Sequence, residues 1–94
     1  MSAEEAEKWR NRAKPGMPLF PGPQDVREAF IVAKGIDWTA SYIDPATWLH
    51  ASRALVCRTH IAQRRIIDQA SGICERLRIT VRPPVEQHAR MAAE

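Results

Sequence analysis

The chain has 94 residues, 45% of them hydrophobic, and a formal net charge of +3. This length makes one small domain, residues 1–94, with a modest core, and the apolar content excludes wholesale disorder. The longest strongly apolar runs, FIVA and ALVC, are far shorter than the roughly 20 residues that span a bilayer.

Ser2 followed by Glu5 forms a capping-box pattern, and acids precede bases in AEEAEKWRNRAK, which predicts a helix over residues 3–13. Its apolar stripe is thin, Ala6, Trp9 and Ala13, so Trp9 must dock for the helix to hold. The opening MSAEEAEKW lacks an apolar h-region and does not read as a secretory signal. With only Cys57 and Cys74 present, a reduced, cytoplasmic interior is the expected compartment.

Residues 15–23 are proline-rich, with Pro15, Pro18 and Pro21 at the period of a polyproline II turn. They read as an extended strap packed by Leu19 and Phe20. Arg12 to Pro18 also fits R-x-x-P-x-x-P, a short and common peptide-ligand pattern. The remainder, 24–94, is expected to form a helical core with a short C-terminal strand and helix. Pro23 suits the first position of a helix over 24–34, in which Val26, Ala29, Phe30 and Ala33 repeat at helical spacing and Gly35 caps the end.

IDWTASYI alternates Ile36, Trp38, Ala40 and Tyr42 with polar neighbours, the pattern of a short strand or an irregular connector over 36–42. Asp44-Pro45 is a helix start, and the periodicity predicts one long amphipathic helix over about 45–71, ending before Gly72. Trp48, Leu55, Ala62 and Ile66 would form one apolar ridge, and Leu49, Val56 and Ile67 a second. ERLRITVRPP alternates again and predicts a strand over 76–82, with VEQHARMAA as a last short helix. The expected fold is a mainly helical α+β domain with at most two short strands, 36–42 and 76–82, paired in parallel through a crossover.

Charge is uneven. Residues 45–82 hold Arg53, Arg58, Arg64, Arg65, Arg76, Arg78 and Arg82 against Asp68 and Glu75. Arginine pairs bidentately with carboxylate or phosphate, so an acidic partner is expected. Cys57 and His60 stand three apart but lack a second short-spaced pair, so no metal site or cofactor is read from them. Nor does that pair come with a pocket, an oxyanion hole or an orienting acid, and the expected protein is not an enzyme and takes no small-molecule substrate.

For nucleic acid, the aromatics fall before residue 49 and most of the basic charge after it, whereas single-strand binders interleave the two. A helix-turn-helix would be broken by Asp44-Pro45, and a ribbon-helix-helix places its strand before its helices, not after. The leading expectation is therefore a small regulatory binding protein: an adaptor, an inhibitor or a minor subunit. It would use a wide apolar helix sector and the arginine face to hold a protein partner or a second copy, with Pro18, Leu19 and Phe20 as further contacts. Nucleic-acid binding through the phosphates is the alternative; no membrane association is expected.

Overall fold

The computed structural model describes residues 2–84. These build a small α+β domain in the order α1 (Ala3–Lys8), α2 (Gln24–Lys34), α3 (Ile36–Tyr42), β1 (Thr47–Leu49), β2 (Ala54–Val56), α4 (His60–Leu77) and β3 (Thr80–Arg82). The strands form one sheet in the order β1-β2-β3, with β1–β2 antiparallel and β2–β3 parallel. The expected C-terminal helix falls beyond residue 84, outside the described residues.

α1 begins as its sequence implies: the Ser2 hydroxyl accepts the Glu5 N–H at 3.3 Å, with Glu4 and Glu5 in the first turn. It ends at Lys8 rather than at 13, because the next carbonyls serve another group. The Arg27 guanidinium donates to the carbonyl oxygens of Trp9, Arg10 and Arg12. A cation thus closes the negative end of α1. Arg10 pairs with Glu28 at 2.7 Å and Lys14 with Asp37. These contacts clamp the N-terminal arm to α2 and α3.

α2 spans the expected 24–34, with Pro23 at the N-cap, one place before its expected position. Gly35 takes φ 92°, a conformation open to glycine, and its N–H bonds the Ile31 carbonyl at 2.8 Å. Val26, Phe30 and Ile31 are fully buried.

Residues 36–42 form a helix, not a strand. Trp38 and Tyr42 lie one turn apart on the same face with ring centroids 5.2 Å apart, and Trp38 stacks on Phe30 at 5.9 Å. Packing among these rings outweighs the alternation. Asp44 starts no helix either, because its carboxylate is taken by Arg27.

The helix expected over 45–71 is therefore two things. Its first part is a hairpin, in which Thr47, Trp48 and Leu49 face Val56, Leu55 and Ala54. β2 is the central strand, buried throughout, as a continuous apolar run between two neighbours should be. Only from His60 does the chain become helical: the Thr59 hydroxyl accepts the Ala62 N–H at 3.0 Å. α4 runs through Gly72, with a break in helical geometry at Ala70, to a left-handed Arg78.

β3 lies within the expected 76–82, but its parallel partner is β2, with Ala54, Leu55 and Val56 facing Thr80, Val81 and Arg82. There are three strands among the described residues, not two, and α4 is the crossover. The core gathers Phe20, Val26, Phe30, Ile43, Leu55, Cys57, Ile66 and Cys74 between the helices and the sheet.

Candidate functional site

α4 buries Ala62, Ile66, Ala70 and Cys74. The opposite side carries Ile61, Arg64, Arg65 and Asp68, at i, i+3, i+4 and i+7, which form the wall of a depression of about 400 Å³. A second depression beside it brings in His60, Gln63 and Ile67. Ile61 is 70% exposed and Ile67 47%. Burying either removes apolar surface from water at about 25 cal/mol per Å². Ile61 and Ile67, about 120° apart around the helix, are each an unspent driving force for association.

The electrostatics of this end are basic. Arg58 and His60 flank the N-cap, Arg64 and Arg65 follow one turn later, and the first turn holds no acid. Helices usually place carboxylates there, opposite the positive end of the dipole. On this face Arg64 pairs with Asp68 at 3.9 Å, with both side chains largely exposed. Arg58 and Arg65 form no ion pair among the described residues.

The other arginines are scattered. Arg53 does not share a helix with Arg64. It ends the hairpin turn at φ 48°, and its guanidinium donates to the Leu77 carbonyl at 2.8 Å and lies 5.7 Å from the Trp48 ring centroid. Arg76 borders a depression shared with Arg10, Glu28 and Val32. Arg78 is the exposed left-handed cap of α4 at φ 59°. Arg82 ends β3, its carbonyl accepting the Cys57 N–H at 3.0 Å while the residue stays exposed. In the strap, Pro18 and Leu19 are exposed, whereas Phe20 is buried edge-on against Trp48 at 5.9 Å.

Cys57 and His60 do not share a surface: Cys57 is 1% exposed and His60 faces solvent. Burial pushes the Cys57 thiol up to about 11, with the Cys74 thiol adding to it, and burial alone takes Cys74 to about 11. Neither is a thiolate at neutral pH, so neither is an activated nucleophile. Among the described residues no group of three or more His, Cys, Asp or Glu is placed to hold a metal ion, and no helix is long and apolar enough to cross a membrane.

The strongest polar feature of the molecule was not among the expected site residues. Arg27 and Asp44 are both fully buried and paired in the interior. A signal existed: Arg27 stands three and four positions before Phe30 and Ile31, on the core face of α2. A charge there requires a buried counter-charge.

Fold and surface together define a small α+β domain with a β-α-β unit whose crossover helix turns a basic, partly apolar face outward. No protein-family model, curated protein or solved structure matches the chain.

Proposed function

We propose that this chain is a non-catalytic binding protein that holds a protein partner on the outer face of α4. The observation that carries the reading is Ile61, 70% exposed beside Arg64 and Arg65. An apolar anchor framed by arginines matches the makeup of protein interfaces, where arginine is enriched and a buried apolar contact supplies most of the energy. Arg58, Arg64 and Arg65 would clamp carboxylates of the partner, and Ile61 and Ile67 would contact its apolar side chains. An adaptor, an inhibitor and a minor subunit all work this way.

Nucleic-acid binding is the second reading, favoured by the acid-free first turn of α4 and by exposed Arg58, Arg76, Arg78 and Arg82. Phe20, Phe30, Trp38 and Trp48 are engaged with one another in two groups, which leaves them poor platforms for bases. An exposed isoleucine also gains nothing from a phosphate backbone.

The deciding experiment is affinity capture from host lysate with and without nuclease, washed at rising salt. A protein partner survives nuclease and responds weakly to salt, and it is lost from an Arg64→Glu/Arg65→Glu bait. Recovery of nuclease-sensitive material alone, weakening by orders of magnitude between about 50 and 200 mM salt, would establish the second reading instead.

A further inference from the structure

We infer that the partner of this face is a second copy of the same chain, docked α4 against α4 in antiparallel register about a two-fold axis. The inference rests on the proposed reading of α4 as the binding face and names what binds there. On the outer face, Ile61, Arg65, Asp68, Gly72 and Glu75 are all exposed and follow one another at spacings of four, three, four and three residues. Ile61, Arg65 and Asp68 share one face of the regular helix before Ala70, and Gly72 and Glu75 stay exposed beyond the break.

The seam is complementary to its own reverse. With the two-fold axis between Ile66 and Ile67, Arg65 of each copy meets Asp68 of the other. Ile61 meets Gly72, and Arg58, just before the N-cap, meets Glu75. Every opposed pair is then cation to anion or large to small. Gly72 gives a second reason. A Cβ there would touch nothing within its own chain, yet glycine inside a helix costs about 1 kcal/mol relative to alanine. No neighbour within the chain crowds Gly72, two residues beyond the break at Ala70, and its bare backbone offers a hollow to the exposed Ile61 of a second copy.

The break at Ala70 falls opposite Gln63 of the other copy, so both central Arg65–Asp68 pairs lie in the regular part of the helix. Isologous pairing of this kind closes on itself and leaves no open end for fibres. A single helix pair lies at the low end of interface sizes, on the order of 1,000 Å², so the dimer is reversible.

The test is sedimentation of the full chain over a concentration series, with Arg65→Asp and Asp68→Arg made separately. All altered positions are exposed, and circular dichroism is the check that each variant is folded. The wild type is expected to pass from monomer to dimer. Each single variant opposes like charges at both central pairs and stays monomeric. An equimolar mixture of the two variants opposes unlike charges again and recovers the dimer. Gly72→Leu is expected to raise the melting temperature of the monomer while abolishing the dimer.

Single variants that dimerise like wild type, or a mixture that stays monomeric, overturn the register. If the wild type is monomeric throughout but a different protein still binds through Ile61 and Arg65, self-pairing falls and the binding reading stands. If neither self-pairing nor any protein partner appears, both fall.

Discussion

The guanidinium of Arg27 and the carboxylate of Asp44 meet in two parallel hydrogen bonds, 2.8 Å from Nε and 3.0 Å from Nη2, with neither side chain reaching solvent. The remaining donors of Arg27 point the other way, to the carbonyls that follow α1. One buried cation therefore joins three parts of the chain: the N-terminal arm, α2 and the loop after α3. That junction ties the N-terminal arm and the loop after α3 to α2, and α2 and α3 pack in turn against α4.

Removing one partner of the junction strands a buried charge. Arg27→Met and Asp44→Ala are each expected to cost about 3–5 kcal/mol in urea unfolding, a large part of the stability of a small domain. Arg27→Met should also free the arm, speeding proteolysis within residues 2–14, whereas Asp44→Ala leaves the carbonyl contacts. The double variant should be less destabilised than the sum of the two. Additive costs would show that the pair is not coupled.

Two glycines have opposite roles. A methyl at Gly22 would lie 2.8 Å from Trp48 Cγ and closer still to the Phe20 ring, so the aromatic pair must shift. Gly22→Ala is expected to cost about 1–3 kcal/mol. Gly72→Ala meets open space in a helix and should gain about 0.5–1 kcal/mol. Thermal melts of the two variants should move in opposite directions.

Arg53 holds a left-handed backbone at φ 48° and makes two contacts with its side chain. Arg53→Ala loses the contacts and keeps the strain; Arg53→Gly loses the contacts and relieves the strain. Glycine is thus expected to be the more stable replacement by about 1 kcal/mol, the reverse of the usual order. Equal melting points for the two variants would remove strain from the account.

The thiols give a pH signature. Cys57 and Cys74 are shifted from an ordinary 9.0 to about 11 in the fold, so the unfolded chain ionises first. Their contribution is fully present below pH 9 and is lost as pH rises through about 11. The urea midpoint should fall over that interval, and less so in a Cys57→Ala/Cys74→Ala variant. Iodoacetamide at pH 8 should leave both cysteines of the native chain unmodified and alkylate both in urea.

The parts legible in the sequence were those set by local chemistry. The Ser2 cap, the 24–34 helix and its Gly35 terminus depend on residues within a turn of one another. What misled was packing between distant residues. Asp44-Pro45 has the form of a helix start, but the carboxylate it would use is bonded to Arg27, seventeen positions back. The alternation in 36–42 was overridden by Phe30, Trp38 and Tyr42. Trp48, Leu49, Leu55 and Val56 fell at helical spacing while belonging to two facing strands, and a buried central strand cannot be told from a helix by periodicity alone. Arg58, Arg64 and Arg65 were visible from the start as charges. Ile61 as an exposed anchor beside them became evident only once the helix was known to begin at His60.

That the outer face of α4 is where this protein is bound can be tested by placing a photo-crosslinking residue at position 61 and, as a control, at exposed position 2 in the N-terminal arm, then irradiating the host cells. Discrete adducts to protein from position 61, absent from position 2 and lost with Arg64→Glu/Arg65→Glu, are the expected result. Equal labelling from both positions, or adducts to nucleic acid alone, would contradict the account.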